Sequence, residues 1–440
     1  MRRALRATIA VVFAAVLLAG CDWSMFRYGA EQTGFNPTES KIGVRNVGAL
    51  SQQFVGVTGG SIGFSSAAVA NGIAYIGTFD AKLYAFDAAG KTNCSSVPIK
   101  CAPLWTASTT AYIDSSPAVA NGVVYIGADN GLLFAFDAAG KVNCSGSTHT
   151  CTPLWTAATG SSIQSGPTVA NGVVYVGSND YKLYAFDAAG STNCSGVPKT
   201  CAPLWSAGTG SNVHSSPAVA NGVLYVGSVD SKLYAFDAAG NANCSGSPKL
   251  CAPLWTAATG SSVLSSPAVA NGVVYVGSED HRLYAFDAAG SSAQCSGSPK
   301  ACAPLWTAIT ADRVESSPAV AYGVVYVGSA DHTVYAFDAA GSRRCGGTPK
   351  VCAPLWSATT GAQILSSPAV ASGVLYVSSG DGNLYAFDAA GKKRCTRVTK
   401  RCRPLAAVTM GAGAFSSPTV ANGIVYVGSA AANLEAFGLP

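Results

Sequence analysis

Residues 215–240 read SSPAVANGVLYVGSVDSKLYAFDAAG, and near-copies of this string return about every fifty residues. The copies begin at Ser65, Ser115, Ser165, Ser215, Ser265, Ser316, Ser366 and Ser416, so the chain holds eight units. A period of this length marks a repeat architecture, in which each unit is one supersecondary motif that buries its apolar face against its neighbours. Around one copy, four short runs at 204–207, 216–220, 223–228 and 232–238 are rich in valine, tyrosine, phenylalanine and tryptophan and bounded by turn residues, the pattern of β-strands. Asn-Gly at Asn71, Asn121, Asn171, Asn221, Asn271 and Asn422 joins two of these runs. That dipeptide suits the type I′ hairpin turn, whose two central residues both need positive φ. A short Gly-Ser-x-Asp turn makes the next connection, and a long cysteine-bearing segment after Phe-Asp-Ala-Ala-Gly makes the third. Each unit is therefore an up-and-down, four-stranded antiparallel meander.

Runs such as Val-Val-Tyr-Val are apolar at successive positions, so both faces of the strand are expected to be buried. Blades packed face to face around an axis meet that need, and radial repetition also protects strand edges. A parallel β-solenoid has shorter repeats and no Asn-Gly hairpins. The ends of the repeat region decide for closure. Before the first copy lies an orphan run, Gln53-Phe54-Val55-Gly56-Val57-Thr58-Gly59, aligned with Leu-Trp-Thr-Ala-Ala-Thr-Gly of later units, and after the last copy only three runs follow. The reading is all-β: an eight-bladed β-propeller over residues 50–440, closed by an N-terminal strand around Phe54 that completes the last blade beside Phe437.

A chain of 440 residues ordinarily suggests two or three domains, but repetition overrides that prior. Hydrophobic residues make up 49% and charged residues 11%, enough apolar surface for a large core. The first twenty residues carry Arg2, Arg3 and Arg6, then an apolar run over 7–17, then Leu18-Ala19-Gly20 before Cys21. This is an export signal over 1–20, too short in its apolar part for a comfortable membrane span. The Leu-Ala-Gly-Cys string resembles the bacterial lipobox, which implies lipidation of Cys21 and a lipidated lead-in over 21–49; an ordinary signal peptide with a chance cysteine is the other reading. Asp22 resembles the inner-membrane retention signal of some lipoproteins. Loss of the three arginines lowers the formal charge from +5 to about +2, which says little about partners.

Of fifteen cysteines, fourteen form pairs with six residues between partners: Cys94 and Cys101, Cys144 and Cys151, Cys194 and Cys201, Cys244 and Cys251, Cys295 and Cys302, Cys345 and Cys352, Cys395 and Cys402. In an exported chain an even, regular set reads as disulfides. Zinc is the competing reading, but one pair per unit supplies two ligands where a structural site needs four.

The unit Val-Tyr-Val-Gly-Ser-x-Asp-x-x-Leu-Tyr-Ala-Phe-Asp-Ala-Ala-Gly, followed by Leu-Trp, resembles the repeat of the pyrroloquinoline-quinone-type propellers. That family includes quinoprotein dehydrogenases and the propeller lipoprotein of the outer-membrane barrel-assembly machine. The lead-in Trp23-Ser24-Met25-Phe26-Arg27, with Thr33-Gly34 and Pro37, is similar to the segment that precedes the first blade in such proteins. The resemblance implies a docking tryptophan wedged between blades, a place held by Trp105, Trp155, Trp205, Trp255, Trp306 and Trp356, and taken by Phe54 and Ala406 in two blades. Two departures stand out: the family's Thr-Gly is Ala-Gly here, and a cysteine-paired insertion lengthens each connection. Dehydrogenases of the family also carry an adjacent-cysteine disulfide near the quinone and a calcium-binding acid and amide set; no two cysteines are adjacent here, which disfavours the enzymatic branch.

Comparing the eight copies shows where they differ. Just before each Ser-Ser-Pro stands Phe64, Asp114, Gln164, His214, Leu264, Glu315, Leu365 or Phe415, the most variable site of the unit. With the Ser-Ser-Pro strand innermost, these side chains ring one mouth of the central channel, where propellers bind ligands; a permissive loop that drifted freely is the alternative. Asp80, Asp180, Asp230, Asp280, Asp331 and Asp381 in the short turns, and Asp87, Asp137, Asp187, Asp237, Asp287, Asp338 and Asp388, are expected to accept backbone amides rather than to bind metal. His281 and His332 follow turn aspartates in neighbouring blades, with no third ligand in view. No nucleophile elbow, phosphate loop or zinc-hydrolase helix is present.

The opposite face is expected to carry the Asn-Gly turns and the cysteine loops. Basic residues collect there in the last blades: Arg343, Arg344, Lys350, Lys392, Lys393, Arg394, Arg397, Lys400, Arg401 and Arg403. They read as a candidate patch for anionic lipid or envelope polymer, or as solubilising charge. Nucleic acid is disfavoured for an exported chain without aromatic interleaving in those loops. The leading expectation is a non-catalytic lipoprotein, anchored to a bacterial membrane and facing periplasm or cell surface. It would have no cofactor and would bind an envelope protein or peptide segment through its mouth and open strand edges. A quinone- and calcium-dependent oxidoreductase, and a surface glycan binder or adhesin, are the alternatives.

Overall fold

The computed structural model describes residues 21–146 and 149–440, so the export signal expected over 1–20 lies outside it. The repeat folds as eight antiparallel sheets around one axis. Blade 1 comprises Ala68–Ala70, Ile73–Gly77, Lys82–Asp87 and Trp105–Ser108 from axis to rim, and blades 2 to 7 repeat that order. The only helical element among the described residues is a 3-10 turn at Val47–Ala49, and no described helix is long and apolar enough to cross a membrane. The Asn-Gly turns have positive φ at both residues, as at Asn221 and Gly222. Blade 8 takes Thr419–Ala421, Ile424–Ser429 and Asn433–Gly438 from the end of the chain and Ser51–Val57 from its beginning. In that clasp Phe54 pairs with Ala436 and Val57 with Asn433, antiparallel, with a bulge between Gln52 and Phe54. The expected closure is what the chain does.

Neighbouring blades lock through three devices. The docking tryptophan of one blade lies against the glycine that ends Phe-Asp-Ala-Ala-Gly in the next. At Gly190 φ is +62° and a Cβ would overlap the Trp155 ring, so both backbone and contact require glycine there. The tyrosine of the second strand donates across the same boundary, as Tyr75 Oη does to the Ala138 carbonyl at 2.8 Å.

The third device departs from the sequence reading. All seven cysteine pairs are disulfides, but their segments are not free loops on one face. Each closes a small hairpin that adds, in parallel, to the outer strand of the preceding blade, as Thr200 and Cys201 do beside Thr156 and Ala157. The open strand edges expected as contact sites are therefore covered in most blades. Residue spacing revealed the ring closure of each hairpin but not the non-local edge on which it sits. For a loop of this size the chain-entropy estimate is about 2.5 kcal/mol per bridge. Replacing Cys194 and Cys201 together by serine is expected to lower the unfolding free energy by about that amount. Denaturant titration, with amide exchange at Thr156 as a local readout, would check this.

The boundary between blades 7 and 8 lacks all three devices. Ala406 stands where the tryptophan would be, the buried Tyr376 hydroxyl has no acceptor, and no hairpin reaches the outer strand Ala406–Thr409. In their place the lead-in crosses the boundary, and its Ile42, Val47 and Leu50 pack into a core with Leu405, Ala406 and Val408 beside it.

Within the blades, the turn acid and a strand hydroxyl change together. In six blades the turn aspartate accepts the hydroxyl of the tyrosine four residues on, as Asp331 does from Tyr335 at 2.8 Å. In blade 2 the tyrosine is Phe134, which has no proton to give, and the turn residue is Asn130, whose amide turns to the Thr109 carbonyl at 2.9 Å. In blade 8 the tyrosine is Glu435 and the turn acid is Ala431. The buried Glu435 carboxylate reaches the vacated position, accepting the Gly411 amide at 3.2 Å and the Gln52 side chain. In blade 8 the glutamate thus takes over the acceptor role that the turn aspartate has in six other blades.

The channel mouth as candidate functional site

The inner strands would leave a ring of unpaired backbone groups around the axis, and the lead-in supplies their partners. Carbonyls of Trp23, Ser24, Ala30, Glu31, Thr33 and Gly34 accept the amides of Val69, Val119, Val219, Val269, Val320 and Val370, and Asn36 donates to the Val420 carbonyl at 2.8 Å. Gln32 donates to the Pro217 carbonyl and Arg27 to the carbonyls of Pro318 and Pro368. Arg27 is fully buried without a carboxylate, and burial lowers its pKa to about 9. The channel is thus plugged from the Asn-Gly side, with Phe26 facing the other mouth.

Above Phe26 the second serine of each Ser-Ser-Pro forms a directional ring. The amide of Ser66 donates to Ser116 Oγ, Ser216 to Ser266, Ser266 to Ser317, Ser317 to Ser367, Ser367 to Ser417 and Ser417 to Ser66, at 2.8–3.0 Å. Only blade 3 breaks it, with Gly166, which has no hydroxyl to accept from blade 2 while its own amide still donates to Ser216 Oγ at 2.8 Å.

The eight variable residues Phe64, Asp114, Gln164, His214, Leu264, Glu315, Leu365 and Phe415 line one cavity of about 210 Å³ over this serine ring and Phe26. Its wall is divided by chemistry. Phe64 and Phe415 stack with ring centroids 5.6 Å apart, and Phe79 and Tyr112 pair at 5.8 Å on the adjoining rim. Phe64 is 53% and Tyr112 61% exposed, so this aromatic sector faces solvent rather than the core. The neighbouring sector is polar: Asp114, Asp129 and Asn179 each hold a buried side-chain oxygen without a hydrogen-bond partner. On the far side Arg313 pairs with Glu315, and burial lowers the pKa of His214 against the raising effect of Glu279.

Asp129, Asn179 and Glu279 belong to a second variable position, the x of Gly-Ser-x-Asp, occupied in turn by Phe79, Asp129, Asn179, Val229, Glu279, Ala330, Gly380 and Ala430. The sequence reading missed it. Comparing the copies at that column, as was done for the residue before Ser-Ser-Pro, would have found it.

Burial, then the nearby Asp129 charge, raise the pKa of Asp114 to about 6, with the Phe64 amide and Gln164 opposing. A folded-state pKa above the unfolded value of about 3.9 means that stability is lost as pH rises through about 6. Asp114→Asn is therefore expected to raise the melting temperature at pH 8 and leave it unchanged near pH 4, as scanning calorimetry at the two pH values would show.

The other carboxylates hold backbone. The turn aspartates clamp the preceding connection, as Asp180 does by accepting the Gly160 amide at 2.8 Å. The aspartates of Phe-Asp-Ala-Ala-Gly close their own turns. Burial raises the pKa of Asp187, but the Ser191 hydroxyl and the Thr192 and Ser191 amides outweigh it and hold the group at about 2. His281 lies 3.7 Å from Asp312, and no group of three or more His, Cys, Asp or Glu suited to a metal converges among the described residues.

The remaining candidates lie away from the mouth, on the Asn-Gly turns and on the hairpins along the outer strands. Cys21 donates its backbone amide to Asn422 Oδ1 in the last Asn-Gly turn, at 3.1 Å. A groove of about 480 Å³ sets Arg343 and Lys392 beside the turn residues Tyr322 and Gly373. Arg343 is paired with Asp338 at 2.8 Å; Arg344, Lys350, Lys393, Arg394, Arg397, Lys400, Arg401 and Arg403 are exposed on the cystine hairpins.

Among the described residues no group of three or more His, Cys, Asp or Glu converges at the mouth, and the disulfides lie on the outer hairpins.

Among curated protein sequences none matches this chain. Solved structures share its fold. BamB from Moraxella catarrhalis aligns with a TM-score of 0.62 at 15% identity, over 88% of this chain and 99% of that one. A quinohemoprotein alcohol dehydrogenase from Comamonas testosteroni aligns with a TM-score of 0.66 at 14% identity, over 95% and 80%. A europium-containing methanol dehydrogenase gives 0.67 at 12%, over 96% and 98%. At these identities the alignments show the fold alone. The model of one family matches residues 100–193, 198–294 and 298–437. With its closed ring of repeats and that match over most of its length, the chain belongs to the family described as outer membrane protein assembly factor BamB.

Proposed function

We propose that this protein is a non-catalytic, lipid-anchored propeller of the bacterial cell envelope that holds a segment of a protein partner at its channel mouth during envelope or outer-membrane protein assembly. The observation that carries this reading is the pairing, on one rim, of three buried acceptor oxygens on Asp114, Asp129 and Asn179 with a solvent-facing aromatic wall. A peptide segment offers the complement, N–H donors beside apolar side chains. Cys21, held at the Asn-Gly turn of blade 8, puts an acyl anchor on the face opposite the mouth. The basic hairpins then lie toward anionic headgroups and the mouth points away from the membrane.

Photo-crosslinkers at His214 and Glu315 in intact cells are expected to capture a defined envelope protein, with capture lost in an Asp129→Ala, Phe64→Ala variant. Capture only from Arg397, with none at the mouth, would overturn the reading. Saturable binding to a glycan array, lost on replacing Phe64 and Phe415, would assign the mouth to a sugar instead.

A further inference from the structure

The hairpins number seven and the outer strands eight. In each strapped blade one rim residue donates its amide to a hairpin carbonyl at 2.9–3.0 Å: Val55 to Ile99, Thr106 to His149, Thr156 to Lys199, Ser206 to Lys249, Thr256 to Lys300, Thr307 to Lys350 and Ser357 to Lys400. The eighth equivalent is Ala407. Blade 8 takes its third and fourth strands from opposite ends of the repeat region, so it has no third connection from which to extend a hairpin back onto blade 7. Among the described residues the strand Ala406–Thr409 pairs only with Asn383–Asp388, and Ala407 is exposed. One parallel docking position, used seven times within the molecule, is thus left open once.

The same place carries the densest charge in the chain. Between Asp388 and Thr409 the sequence holds seven lysines and arginines and no acid. Arg394 and Arg403 are joined by a backbone hydrogen bond at the base of the hairpin, directly before the open strand, and both side chains are exposed. Uncapped edges accept added strands, and clustered cations select the sign of what is added.

We infer that the outer edge of blade 7 is a second interaction site, which takes an extended acidic segment of a partner protein as a parallel strand on Ala407. The inference does not rest on the mouth. A fluorescein-labelled octapeptide of alternating glutamate and valine, with a lysine–valine octapeptide as control, would be titrated against the disulfide-intact chain by anisotropy. Amide exchange would be followed at residues 406–409. The acidic peptide is expected to bind and to slow exchange at Ala407, and the lysine peptide to bind at least about tenfold more weakly.

Ala407→Pro removes the donor at an edge position where proline is tolerated. It is expected to weaken binding about tenfold; Arg394→Glu with Arg403→Glu should do the same, and Phe64→Ala should have no effect. Peptide binding that survives Ala407→Pro and leaves exchange at Ala407 unchanged would overturn the inference, as would protection of Ala407 that appears with protein concentration in the absence of peptide. Equal displacement of the peptide from wild type and the proline variant by phosphatidylglycerol vesicles would show the charge to be lipid-directed, and would overturn it too.

Discussion

Phe54→Ala is expected to lower the unfolding free energy by about 3–5 kcal/mol, the cost of truncating a fully buried aromatic ring. Phe54 is the only large side chain that the N-terminal strand contributes at the docking position. It lies against Gly90, where a Cβ would overlap its ring, and tilts toward Tyr426 with centroids 6.4 Å apart. No tryptophan stands in for it, so the loss falls on the clasp that closes the ring. Denaturant unfolding would measure the effect, and new protease sensitivity between residues 46 and 60 would place it. Phe54→Trp should be tolerated, because the Ala88 carbonyl already accepts the Tyr426 hydroxyl as the Ala138 carbonyl accepts both Tyr75 and the Trp105 indole. If Phe54→Ala cost less than about 1 kcal/mol, the clasp would not be what holds the ring closed.

Glu435→Tyr is expected to cost about 3 kcal/mol, because it strands the Gly411 amide and the Gln52 side chain and buries a phenol with no acceptor. Adding Ala431→Asp to the same chain rebuilds the arrangement of six other blades and should return most of that stability. The coupling in a double-mutant cycle would be favourable and of the order of 2 kcal/mol. Simple additivity of the two substitutions would mean that blade 8 follows different rules from the rest.

Most of the architecture was legible because the sequence repeats. Asn-Gly at fixed offsets gave the hairpins, the apolar Val-Val-Tyr-Val runs gave burial on both faces, and the orphan run around Phe54 gave the clasp. The ring of residues before Ser-Ser-Pro was legible for the same reason, since near-copies expose the columns that differ. What stayed hidden depends on contacts between units. The Cys194–Cys201 pair states that two residues meet, but nothing local says that the hairpin rests on Thr156 of the blade before. The lead-in carries no periodicity, so its course across the axis, with Arg27 among the proline carbonyls and Phe26 over Gly166, could not be read from pattern. The Tyr335–Asp331 pairing was visible only as an acid at a turn, because its partner sits in the next strand.

The clasp also sets an order of events. Ser51–Val57 leaves the ribosome among the first strands and finds its partner, Asn433–Gly438, only when the last has emerged. Contacts of such sequence separation are slow to form, and the unpaired early strand is exposed to wrong partners meanwhile. For a chain threaded across a membrane from its N-terminus, the ring stays incomplete until translocation finishes. A holding chaperone on the far side would then matter more for this protein than for one whose first and last strands never meet.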